Sequence, residues 1–236
     1  MQLEKVNLEK VLFLDIETVP QHPLFENLDE AGQKLYEQKT KFLQKDGQAA
    51  SELYERAGIY AEFGKIICIS VGYVHYGKDG TQLRLKSFYS DDEKELLAEF
   101  TTLLETNKFS ILCGHNAKEF DFPFICRRLL INGMKLPDIL DIAGKKPWEI
   151  SHLDTMELWK FGDYKAYTSL SLLCYIFKIP TPKDDISGGD VARVYYEEKN
   201  LERVKTYCEK DVIALIQLFL KMQGKQLLPE EAIVIA

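Results

Sequence analysis

A chain of 236 residues, 46% of them hydrophobic, has enough apolar material for a sizeable core and reads as a single domain over residues 1–236. Its formal net charge of −7 argues against a protein that grips duplex nucleic acid through a broad basic surface, yet leaves room for nucleic acid at a metal site, where bound cations reverse the local sign. The 5 cysteines (Cys68, Cys113, Cys126, Cys174 and Cys208) are scattered singly with no Cys-x-x-Cys pair, which suggests neither a thiolate zinc site nor a disulfide framework. With no apolar run of about eighteen residues and a charged start, no membrane span or signal peptide is expected, and the cytoplasm is the expected location.

In chain order, Val11-Leu-Phe-Leu14 is a short apolar run ending in acids, as in a strand buried on both faces. Residues 21 to 62 turn charged and helix-compatible, notably Gln33 to Lys45, with breaks at Asp46-Gly47 and Gly58, and suggest a helical insertion. Ile66 to Val74 and Gln82 to Tyr89 flank Gly77-Lys-Asp-Gly80 as an antiparallel hairpin. Ser90 and Glu93 have capping-box spacing ahead of Leu96, Leu97, Phe100, Leu103 and Leu104, which predicts a helix.

Phe109 to Gly114 forms a further strand, and Pro123 opens a helix through Ile131 that Asn132-Gly133 stops. After a short segment around His152 to Met156, helices are expected over about 169–178, 190–199 and 201–222, with a loop over 180–189. The expected fold class is α/β, a mixed sheet flanked by helices.

Residues two apart on a strand share a face, so Asp15 and Glu17 project together from the end of the apolar run. Two adjacent carboxylates repel, and a divalent cation bound through oxygen is the usual remedy where burial is partial. Taken alone, Asp-x-Glu is equally a strand ending at the surface. The last helix adds weight. Leu201, Val204, Cys208, Leu215, Leu218 and Met222 form an apolar stripe with Asp211 at its centre, and Tyr207 lies one turn earlier on the same face. An acid stands where a leucine is expected, on a stripe that carries no Lys or Arg. In Gly114-His-Asn-Ala-Lys-Glu-Phe-Asp121, Asp121 could equally cap the following helix, His115 end a strand and Asn116 sit in a turn.

Together, Asp15-Ile-Glu17, Asn116-x-x-x-Phe120-Asp121 and Tyr207-x-x-x-Asp211 resemble the three exonuclease motifs of the DnaQ-like 3′–5′ exonuclease superfamily in its tyrosine-containing (DEDDy) branch, and most resemble the proofreading domain of family B DNA polymerases. The similarity spans roughly residues 11 to 220. The sister branch has histidine where this chain has Thr206. A chain of this length has no room for a polymerase domain, which suggests a stand-alone protein, and residues 21–62 are longer than the family pattern leads one to expect.

The resemblance implies a ribonuclease-H-like fold and a metal-dependent exonuclease that hydrolyses phosphodiester bonds at nucleic-acid 3′ ends. Asp15, Glu17, Asp121 and Asp211 would hold two divalent ions, Mg²⁺ or Mn²⁺, with Asp15 bridging them, and Tyr207 would orient the attacking water. Asn116 and Phe120 would place the terminal nucleotide, and Lys145-Lys-Pro-Trp148 and Lys183 are further candidates for phosphate contact. Single-stranded DNA is the expected substrate; alternatives are an RNA-trimming exoribonuclease and an inactive nucleic-acid-binding module. A replication or repair protein is a conceivable partner, a membrane is not.

Overall fold

The computed structural model describes residues 3–45, 47–78, 80–163, 165–180 and 185–235. Lys183 and the turn residues Asp46 and Asp79 lie outside them. A six-stranded mixed sheet with helices on both faces carries the fold, in the order β5-β4-β1-β2-β3-β6. Its strands are β1 (Val11–Pro20), β2 (Gly64–Gly77), β3 (Gly80–Tyr89), β4 (Ile111–Gly114), β5 (Leu153–Asp154) and β6 (Ile233–Ile235). The helices are α1 (Glu30–Thr40), α2 (Glu93–Thr106), α3 (Asp121–Ile131), α4 (Thr155–Lys160), α5 (Leu170–Phe177), α6 (Val191–Tyr196) and α7 (Leu201–Met222). Among the described residues no helix is long and apolar enough to cross a membrane.

The alternation of β1 explains the layering. Leu12, Leu14 and Ile16 point into a core shared with Leu97 and Phe100 of α2 and Phe122 and Ile125 of α3. Val11 and Phe13 point the other way, against Val212, Leu215, Ile216 and Phe219 of α7. Asp15 and Glu17 continue the second set and therefore rise on the α7 side. α7 comes close because Gly72 carries no side chain: a Cβ there would meet Ile216 Cδ1 at 2.9 Å and Val212 Cγ1 at 3.0 Å.

β1 runs antiparallel to β2, with Asp15 opposite Ser70 and Glu17 opposite Cys68, and the register slips immediately after Glu17. Its parallel pairing with β4 covers only Val11 to Phe13. Beyond Phe13 the two strands part, and the acids sit on the stretch that has lost this neighbour.

The start of α2 differs from the capping-box spacing of Ser90 and Glu93. The cap of α2 is Asp92, whose carboxylate accepts the N–H groups of Lys94 (2.9 Å) and Glu95 (3.3 Å), while the Ser90 hydroxyl accepts the Asp92 N–H at 3.1 Å. Glu93 is instead buried, accepting from the Arg128 guanidinium at 2.5 Å and the Ile66 N–H at 2.7 Å, and Arg128 also donates to the Ala61 carbonyl at 2.8 Å. This pair binds α2 and α3 to the end of the helical stretch that follows β1. In that stretch the helix starts earlier than Gln33, because Asp29 caps Gly32 N–H at 2.7 Å, and after Thr40 it tightens into a 3₁₀ turn, with a second 3₁₀ segment over Ala50–Ile59. Tyr36, Tyr54, Phe25 and Phe63 pack edge to face as a small aromatic core of their own.

Candidate active site

Three separate elements deliver the carboxylates. Asp15 and Glu17 come from β1, Asp211 from the sheet-facing side of α7, and Asp121 from the first turn of α3. Glu17, Asp121, Asp211 and Tyr207 are buried and Asp15 is half-buried. Asp121 is not the cap of α3: Phe120 occupies that position, and Asp121 Oδ1 accepts the N–H of Ile16 at 3.2 Å, between the two acids of β1. The backbone group that β4 would have used now orients a carboxylate. On α7 the Tyr207 hydroxyl donates to Asp211, one turn further along.

Electrostatics follow from crowding. Burial, then the charges of Asp121 and Asp211, push the Asp15 carboxyl well above the ordinary range, against the opposing effect of a hydrogen bond from Cys208. Burial, then Asp15 and Asp211, do the same to Glu17. Asp121 is pushed up to about 7, chiefly by burial, although its hydrogen bonds to backbone N–H groups pull the other way. Burial, followed by the charge of Asp211, also raises Tyr207, which keeps its proton. A shared positive charge is what such a set calls for.

Cys208 is a neighbour that periodicity marked only as core. Its Sγ lies 3.4 Å from the Asp15 carbonyl oxygen and 3.5 Å from Asp15 Oδ2, and burial first of all holds it as a thiol, so it donates to that carboxylate. One carboxylate oxygen each of Asp15 and Glu17 and the Cys208 sulfur fall within 4.8 Å of one another, a group that could hold a metal ion. Glu209, another buried acid of α7, has a different place: it accepts from the Ser87 hydroxyl at 2.8 Å and sits 3.7 Å from Lys205.

The segment carrying Asn116 is shaped by a residue the sequence did not single out. Asp154, buried at the end of β5, accepts the N–H groups of Asn116 (2.9 Å) and Lys118 (3.0 Å) as well as Met156 at the start of α4 (2.9 Å). Asn116 adopts a left-handed conformation, φ 64°, and its carbonyl accepts the Phe120 N–H at 3.0 Å, which turns the chain towards Asp121. The Asn116 side chain lines a cleft of about 500 Å³ with Lys118, Asp154 and Lys160. Phe120 rests half-buried against Phe124, ring centroids 5.4 Å apart, at the edge of the α2–α3 core. His115 sits between the Thr155 hydroxyl and the Thr168 carbonyl, each 2.9 Å away, as a strand-end residue would. Trp148 is exposed with Lys146 5.2 Å over its ring, and Lys145 lines a hollow with Ser110, Asp138 and His152 rather than with the four acids.

Asp154→Ala is expected to cost about 1–3 kcal/mol, since it removes a helix cap and leaves half-buried N–H groups at Asn116 and Lys118 without their acceptor. Chemical denaturation measures this. A loss below about 0.5 kcal/mol would show that water replaces the carboxylate and that the turn does not depend on it.

Residues 59–229 match the family described as a predicted 3′–5′ exonuclease related to the exonuclease domain of PolB. The chain belongs to this family. The matched stretch takes in Asn116, Phe120, Asp121, Tyr207 and Asp211, and β1 with Asp15 and Glu17 precedes it. Among curated proteins, a DNA polymerase of Pyrococcus glycovorans is 23% identical over 193 residues, covering 76% of this chain and 24% of that polymerase. Among solved structures, the family B DNA polymerase of the hyperthermophilic archaeon Pyrobaculum calidifontis superposes with a TM-score of 0.54 at 13% identity, over 90% of this chain and 24% of that one. That superposition shows the fold, a mixed α/β sheet flanked by helices as in the PolB exonuclease domain. The chain spans about a quarter of the length of these polymerases.

Proposed function

We propose that the chain is a metal-dependent 3′–5′ exonuclease that removes nucleotides from the 3′ end of single-stranded DNA. The observation that carries this is the convergence of Asp15, Glu17, Asp121 and Asp211, from three elements, into a set in which burial first, and for Asp15 and Glu17 the charges of neighbouring acids next, raises the proton affinity of Asp15, Glu17 and Asp121. Four carboxylates match the charge of two divalent ions, and their hard oxygen donors fit Mg²⁺ or Mn²⁺. Divalent ions held there supply Lewis acidity to an in-line displacement, favouring hydroxide on the attacking side and accepting charge on the departing 3′ oxygen.

The chain's own groups do the positioning. Asp15 and Glu17, fixed by the β1 pleat, face Asp211 on α7, and Asp121 is aimed at them through the Ile16 N–H. Tyr207, protonated and anchored to Asp211, offers its hydroxyl to the water that attacks phosphorus. As the water oxygen bonds to phosphorus the bond to the 3′ oxygen breaks, releasing a nucleoside 5′-monophosphate and a new 3′ hydroxyl. Asn116, at the mouth of the cleft, holds the terminal nucleotide, and Phe120 supports that turn from the core side.

The test is a panel of end-labelled single- and double-stranded DNA and RNA with Mg²⁺, Mn²⁺ or chelator. Metal-dependent shortening of single-stranded DNA from the 3′ end supports the proposal. Preference for RNA would make the chain an exoribonuclease, and binding without shortening would make it an inactive nucleic-acid-binding module. In the same assay Tyr207→Phe should lower kcat about tenfold or more while leaving the metal concentration for half-maximal rate nearly unchanged. Equal kcat would remove the hydroxyl from the reaction.

A further inference from the structure

Phe161 ends α4 in the left-handed conformation, φ 44°, with 86% of its surface exposed. Bulky side chains seldom take that backbone state, and phenylalanine is usually buried, so the position runs against two ordinary preferences at once. Its neighbours on both sides, Lys160 and Gly162, line the cleft that begins at Asn116 and Lys118. Six residues further on, Tyr167 is 67% exposed, and Lys160 Nζ lies 4.1 Å from the centre of its ring.

These groups are held in place rather than trailing in solvent. Trp159 sets its ring 6.4 Å from Phe161 and 5.7 Å from Phe177 of α5, edge to face in both cases. The Thr168 carbonyl, next to Tyr167, is 2.9 Å from His115 Nε2, and His115 adjoins Asn116. The segment that carries the exposed rings is therefore tied to the segment that leads to Asp121.

We propose that Phe161 and Tyr167, with Lys160, form a stacking track for single-stranded nucleic acid, taking the bases that lie upstream of the terminal nucleotide. The proposal rests on the exonuclease reading of the adjoining acids. Exposed aromatic faces beside residues that line a groove, one of them under a lysine, are elements from which single strands are held without regard to sequence. The charges of the cleft favour stacking over a phosphate grip: Glu119, Glu157 and Asp163 line it beside the lysines, and Lys118 is paired with Glu157 at 2.7 Å. Binding through this track therefore depends on salt less steeply than binding by a basic surface.

The experiment uses the full chain. Affinity for a fluorescent oligothymidylate is measured by anisotropy with Mg²⁺ in a cleavage-deficient Asp211→Asn background, with and without Phe161→Ala and Tyr167→Ala together. In the active background, kcat/KM is compared for the long strand and a dinucleotide. The double substitution should weaken long-strand binding about tenfold or more and lower the ratio of long-strand to dinucleotide kcat/KM by a similar factor, with Phe161→Trp and Tyr167→Phe restoring both. Unchanged long-strand affinity, or equal losses on both substrates, would overturn the track. Should the unmodified chain neither bind nor shorten any single strand, the exonuclease reading itself fails, a result distinct from a failure confined to the aromatic variants.

Discussion

Asp15→Asn is expected to reduce metal-dependent nucleotide release by about a thousandfold or more while making the metal-free protein more stable. The first effect follows from removing a charge on the face that β1 presents to Asp211, a loss of about 4 kcal/mol or more in the transition state if the metals hold the reacting oxygens. The second follows from what burdens Asp15: burial first, then the charges of Asp121 and Asp211. Asparagine has the same shape, keeps an acceptor for the Cys208 thiol and carries no charge, so it relieves a repulsion that folding must overcome. A gain of about 1 kcal/mol, or roughly 2–4 °C in Tm, is the expected scale. Single-turnover kinetics and thermal unfolding in chelator read the two halves separately. An unchanged rate removes Asp15 from the reaction; a variant that loses both activity and stability marks it as a structural residue.

Without divalent ions, stability should fall as pH rises. The ordinary carboxyl values are 3.8 for Asp121 and 4.5 for Glu17, and both are raised in the folded chain, Asp121 to about 7. Because the native state then binds protons more tightly than the unfolded one, the slope of unfolding free energy against pH is negative. The associated stability is fully present below the unfolded values and is lost as pH climbs through the folded ones, from about 4 to about 7 for Asp121. This runs opposite to the usual acid denaturation of salt-bridged carboxylates. Mg²⁺ or Mn²⁺ competes with those protons, so its stabilising effect should grow over the same interval. Unfolding midpoints between about pH 5 and pH 8, with chelator or metal, give the comparison. A midpoint that rises with pH in chelator, or a metal effect indifferent to pH, would contradict the account.

The parts of this arrangement visible in the sequence were those set by short-range periodicity. A strand carrying Asp15-Ile-Glu17 and a helix over 201–222 with Asp211 on its apolar stripe can be read locally; the helix forms as expected, while the strand does not end at the acids but runs on to Pro20, still paired with β2. Caps were harder. The spacing of Ser90 and Glu93 points to a capping box, whereas Asp92 is the cap and Glu93 is engaged by Arg128, which lies 35 residues away. Of the roles of Asp154, only its capping of α4 is a local one. Its acceptors serve Asn116 and Lys118, 38 and 36 positions earlier, and only the parallel pairing of β4 with β5 brings them together. Asp121 was ambiguous for a similar reason: capping is a local option, whereas the Ile16 N–H becomes available only when β1 and β4 separate.

That separation has an architectural meaning. A strand in mid-sheet normally has every amide engaged on both sides, which leaves no opening for chemistry. Here β4 leaves β1 after Phe13, and the remaining half of β1 works as the floor of a fork, with a carboxylate from α3 filling the notch where a carbonyl would have been. Extending the β1–β4 ladder by two residues would give a more regular sheet and a closed one. The acid-lined groove is in this sense an unfinished seam, kept open by one aspartate.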